Sequence, residues 1–174
     1  ADYPETQNPY DVVPKAQAVL DALRQNPQVK TVAPRVQAHA MFAGDDGKAA
    51  PGKLMGVDPK PEAAMTEFDQ RIQEGTWLKA PNQAVIGREL ADKTKIGVGD
   101  RLLVVGRALD GSPADRAYPV VGIYSTGNVS VDGGAVLPLQ TAQELLVLEG
   151  GVHEVVVVTH KFGRIEQTKT ELAS

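Results

Sequence analysis

Two periodicities alternate along this chain. Val12, Ala16, Val19, Leu20 and Leu23 recur at helical spacing, with Pro14 tolerated in a first turn and Asn26-Pro27 closing the segment. A period of two follows. Val32, Val36, Ala38, Ala40 and Phe42 share one face and Arg35, Gln37 and His39 the other, which predicts a half-buried strand. Gly44-Asp45-Asp46-Gly47 reads as a turn, and residues 53–57 as a short returning strand. Residues 62–74 carry Ala64, Met65, Phe68 and Ile72 at helical offsets, and Gly75 reads as the end of that helix.

Shorter elements fill the middle. The pattern predicts a buried strand over 84–86 and a helix over 88–95. Ile96-Gly97-Val98-Gly99-Asp100 then forms a corner into a strand over 101–105. A polar loop over 106–117, a strand over 118–124 and a glycine-containing loop over 125–134 follow. The last third predicts a strand at 135–137, a helix over 139–148, a valine-rich strand over 152–159 and a helix from Phe162 onward. Helix–strand at the start and helix–strand–helix at the end bracket short strands and turns. The fold class is therefore α+β, divided into residues 1–43 with 135–174 and an inserted β-rich subdomain over 44–134.

Composition narrows the function classes. Of 174 residues, 18 are Lys or Arg and 22 Asp or Glu, a net charge of -4 that argues against a nucleic-acid backbone as partner. Cysteine is absent, which removes disulfides, thiolate nucleophiles and metal–thiolate sites. No run approaches the roughly 20 apolar residues of a membrane span, and Ala1-Asp2-Tyr3-Pro4-Glu5 is too acidic and proline-broken for a signal peptide.

Candidate chemistry is sparse. His39, His153 and His160 have no second ligand at metal-binding spacing; after His153-Glu154, a zinc-protease helix needs histidine where Val157 stands. Asp45-Asp46-Gly47 lacks the alternating oxygens of a calcium loop. Gly97-Val98-Gly99-Asp100 lacks the third glycine of a dinucleotide fingerprint and reads as a hairpin corner. Ser112, Ser125 and Ser130 sit among turn formers rather than in a nucleophile elbow, so no catalytic residue, cofactor or metal ligand is assigned. Two other classes stay open: a serine hydrolase with Ser125 facing His153, and a free-standing small β-barrel adaptor built on the Gly99-Asp100 corner.

The order of glycine-bounded segments carries more information than any one motif. Val29-Lys30-Thr31-Val32-Ala33-Pro34-Arg35, Leu54-Met55-Gly56-Val57-Asp58-Pro59 and Ile72-Gln73-Glu74-Gly75-Thr76-Trp77-Leu78 come first. Ala84-Val85-Ile86-Gly87-Arg88-Glu89-Leu90-Ala91, Ile96-Gly97-Val98-Gly99-Asp100-Arg101-Leu102 and Tyr118-Pro119-Val120-Val121-Gly122-Ile123-Tyr124-Ser125-Thr126-Gly127 follow, then Ala142-Gln143-Glu144-Leu145-Leu146. In that order they resemble the extracytoplasmic domain of ABC-transporter permeases of the MacB/FtsX type, closest to lipoprotein-releasing permeases.

The resemblance implies a porter-like mixed α/β part interrupted by the β-rich part. It implies a place on the outer side of the bacterial cytoplasmic membrane, between the permease's own first and second transmembrane helices. The implied partners are a second permease subunit, a cytoplasmic ATP-binding subunit that alone hydrolyses ATP, and a lipoprotein or other exported substrate. Chaperone docking in that family uses a protruding apolar hairpin, whereas residues 106–117 here offer only Leu109 and Pro113. Those two, with Trp77 and Val129, are the candidate partner contacts.

Overall fold

The computed structural model describes residues 12–160 and the backbone of Ile165–Glu166. In chain order the elements are α1 (Gln17–Gln25), β1 (Val29–Ala43), β2 (Ala49–Val57), α2 (Pro59–Thr66), a 3₁₀ turn (Phe68–Arg71), β3 (Ile72–Gly75), β4 (Ala84–Gly87) and α3 (Arg88–Thr94). They continue with β5 (Arg101–Arg107), β6 (Pro113–Tyr124), α4 (Val129–Asp132), β7 (Ala135–Pro138), α5 (Leu139–Leu146), β8 (Glu154–Thr159) and β9 (Ile165–Glu166). The mixed α/β architecture agrees with the sequence pattern.

Pairings among six strands close on themselves: β1 joins β2, then β7, β4, β6 and β5, and β5 returns to β1 through Met41–Val105, Phe42–Val104 and Ala43–Leu103. Alternation along these strands buries one set of side chains together. Val36 and Phe42 of β1, Leu54 of β2, Ile86 of β4, Leu102 and Val104 of β5, Tyr118 of β6 and Leu137 of β7 belong to one core cluster. Leu20 of α1, Leu90 of α3 and Leu145 of α5 complete it.

The outer face of the ring is covered in part. Val57, Val85, Tyr124 and Val136 form a second cluster with Phe68 and Leu78, so β4 and β7 are buried on both faces. Trp77 stacks on Phe68 at 5.7 Å between ring centroids, and Tyr124 meets Phe68 edge-on at 5.0 Å. The first half of β1 leaves the ring and pairs with β8, and β8 pairs with β9.

Three expectations change. The helix over 62–74 is three elements, because Glu67 turns left-handed at φ 57 and ends α2 before the 3₁₀ turn and β3. Gly75 ends a strand rather than a helix; it sits at φ +73, where a Cβ would lie 2.1 Å from the Val121 carbonyl oxygen. The polar loop over 106–117 is largely hairpin, with β5 reaching Arg107 and β6 starting at Pro113. The helix expected from Phe162 lies outside the described residues, except for Ile165–Glu166, whose backbone is strand.

The Gly97-to-Asp100 corner forms as expected. Asp100 Oδ2 accepts the Gly97 N–H at 2.8 Å, and Gly99 takes φ +95. The strands of residues 44–134 hydrogen-bond into the same sheet as those on either side of them.

Candidate functional site

The four candidate contacts lie in three places. Leu109 and Pro113 flank the tip of the β5–β6 hairpin. Pro113 is exposed, whereas Leu109 is half-buried against the main core, and its N–H donates to the Leu146 carbonyl at 2.9 Å. That bond fastens the hairpin tip to the end of α5. Asp110 closes the tip by accepting from the Ser112 hydroxyl and N–H, which hold its carboxyl below the usual range. Trp77 is half-buried, and its indole N–H donates to the Pro59 carbonyl at 3.0 Å. Val129 projects from α4 with 67% of its surface exposed, the most exposed large apolar side chain among the described residues.

The loop that presents Val129 is tied from beneath by one carboxylate. Asp132 is buried and accepts from the Ser125 hydroxyl (3.1 Å), the Thr126 N–H (2.8 Å) and hydroxyl (2.7 Å), and the Gly127 N–H (3.2 Å). Burial alone would raise this carboxyl; the bonds from Thr126, Ser125 and Gly127 overcome that and hold it below its ordinary value. Asn128 caps α4 by accepting from Ser130 and Val131. Tyr124 donates to the Val131 carbonyl at 2.8 Å, and burial, with Asp132 nearby, pushes its phenol well up.

Ser125 and His153 have separate partners. The serine hydroxyl donates to Asp132, while His153 Nδ1 accepts the Gln37 N–H at 3.1 Å on the β1–β8 side. The hydrogen-bonded base that a serine nucleophile needs is therefore not supplied by that pair. Among the described residues no three His, Asp or Glu side chains group as metal ligands, and no helix is long and apolar enough to cross a membrane.

Two further features escaped the sequence reading. Met41, Leu103 and Val105 are 43%, 39% and 42% exposed on neighbouring strands, with Met41 directly opposite Val105. This patch continues the ring's outer face where the second cluster stops. The period of two in β1 already placed Met41 out of phase with Phe42, which was the available signal. The second feature is a buried ion pair. Glu62 on α2 is fully buried and receives Arg35 bidentately, at 2.7 and 3.1 Å, with Glu154 3.6 Å from the same guanidinium. Burial would lower the Arg35 pKa, but Glu62 and Glu154 outweigh it and raise it.

The site thus consists of an apolar patch, a projecting valine and a fastened hairpin. Comparison with known proteins places the chain. The fold is shared with the periplasmic region of MacB from Actinobacillus actinomycetemcomitans, at a TM-score of 0.61 and 11% identity over 84% of this chain and 65% of that one. It is shared too with the extracellular domain of the noncanonic ABC-type transporter YknZ from Gram-positive bacteria, at a TM-score of 0.66 and 16% identity over 92% and 79%. Rv0987, an ABC transporter permease protein of Mycobacterium tuberculosis, is 28% identical over 134 residues, 72% of this chain but only 15% of the relative's length. The family model of the MacB-like periplasmic core domain matches residues 3–174, and the chain belongs to that family.

Proposed function

We propose that this chain is the extracytoplasmic domain of an ABC transporter permease. It would pass conformational change between the permease's transmembrane helices and an exported substrate, with lipoprotein release as the favoured instance. The observation that carries this reading is the family match along residues 3–174. On this reading ATP is hydrolysed by a separate cytoplasmic subunit, a second permease subunit completes the transporter, and the domain stands outside the bacterial cytoplasmic membrane. Residues 1–43 with 135–174 form the porter-like part and 44–134 the β-rich part, both contributing strands to one sheet. Trp77, Leu109, Pro113 and Val129 are the proposed partner contacts; Val129 and Pro113 are the exposed ones.

The test deletes residues 12–160 from the intact permease, reconstituted with its ATP-binding subunit. Expected is loss of substrate release with ATP hydrolysis retained. Release at the undeleted rate would sink the reading. In the same system Val129→Asp should leave the fold intact and lower release; unchanged release removes Val129 from the contact set.

A further inference from the structure

One edge of β1 has an interrupted ladder. β8 pairs with it as far as Arg35, and β5 takes over only at Met41. Within the gap the Gln37 N–H is met by a side chain, His153 Nδ1, instead of a strand carbonyl. A slot of about 150 Å³ opens there, with Leu109, Leu146 and Leu148 as its apolar wall and Gln37, Arg107 and His153 around them. The Leu109–Leu146 backbone bond that fastens the hairpin tip also fixes this wall.

Size and polarity both restrict the occupant. Sites for whole small molecules run to roughly 300–1,000 Å³, whereas a cavity of about 150 Å³ takes one compact apolar group. One polar group of the slot is under-used. The Gln37 amide is already committed: Nε2 donates to Glu154 at 2.9 Å and Oε1 is buried out of a ligand's reach. The exposed Arg107 guanidinium has only a 3.5 Å contact with the Gly111 carbonyl, and no described carboxylate pairs with it. A ligand that fits must bring an aliphatic group and a negative charge.

We propose that the slot receives one aliphatic side chain of a partner protein segment, with an acidic residue beside it. The side chain packs on Leu109, Leu146 and Leu148. The carboxylate pairs with Arg107. The charge complementarity at Arg107 selects an acidic rather than a basic segment.

The test titrates the 174-residue chain with terminally blocked tetrapeptides in which leucine is followed by glutamate, glutamine or lysine, watching backbone amides by NMR. Expected are shifts at Gln37, Arg107, Leu109 and His153, with the glutamine peptide about threefold weaker than the glutamate one, as for an exposed ion pair. Arg107→Glu should invert the order so that the lysine peptide binds best. The proposal is overturned by no shifts at these amides up to about 10 mM peptide, near the affinity expected of a single weak contact. Equal response to all three peptides, or shifts confined to Met41, Leu103 and Val105, would overturn it equally. Because peptide binding is read on this chain alone and release on the whole permease, either result can fail without the other.

Discussion

Val147 ends α5 at φ 56 and ψ 50, a left-handed conformation that costs an L-residue about 1–2 kcal/mol and suits a β-branched one least. Its side chain is 43% exposed, so little packing depends on it. Glycine would relieve the strain and return about 0.5–1 kcal/mol of it as unfolded-state entropy. Val147→Gly should therefore raise unfolding stability by about 0.5 kcal/mol in urea titration, and a loss of stability would contradict the strain. Asp132 gives the pH prediction. Its carboxyl is held low in the folded chain, so the native state binds fewer protons there than the unfolded one. The stabilisation is complete above the unfolded value, about 3.9, and drains away as pH falls through the lower folded value. Asp132→Asn should start less stable at neutral pH and lose less than wild type between about pH 5 and 2, read as urea midpoints. Parallel curves would show that Asp132 carries no such linkage.

Among the elements, α2 hangs on the Arg35–Glu62 pair. Glu62→Ala leaves the largely buried Arg35 guanidinium with only Glu154 at 3.6 Å, so the chain should lose about 3 kcal/mol, the low end of the cost of breaking a buried pair. A loss under about 1 kcal/mol, measured by denaturation, would show that the pair contributes little. The same region shows why helical spacing misread residues 62–74. Ala64, Met65, Phe68 and Ile72 do fall at helical offsets, but the chain stops at Glu67, a residue with no C-cap signature; Lys95 and Val147 end α3 and α5 in the same conformation. A left-handed cap made without glycine leaves no mark in a hydrophobicity pattern. The hairpin beyond Gly106 was hidden for another reason. Asp115, Arg116 and Ala117 stand in solvent along β6, so the strand lacks the apolar alternation that would reveal it.

Over the whole molecule, local patterns were legible and long-range pairings were not. The strands around Val36, Val85 and Val156 and the helices around Leu20, Leu90 and Leu145 all lie where the sequence placed them. The family followed from the order of motifs along the chain, and the family model extends over residues 3–174. The ring was not readable, because which strand pairs with which depends on contacts between distant segments. Nor was the second cluster, since wholly buried strands such as Ala84–Gly87 and Ala135–Pro138 carry no alternation to say which face meets what. Of the candidate contacts, Val129 and Leu109 were named by residue type alone. The Met41–Leu103–Val105 patch needed the register between β1 and β5 to bring its members together.

The closed ring also sets a timetable. β2 obtains its second neighbour only when β7 pairs with it, and Leu54 meets Ala135 across about eighty intervening positions. Contacts of such long separation must close large loops before they reward the chain, so they form late. Residues 12–134 without β7 would therefore leave β2 with an open edge and Leu54 without Ala135 beside it. A chain cut short before residue 138 should for that reason expose a strand edge and apolar core together, the combination most prone to aggregate.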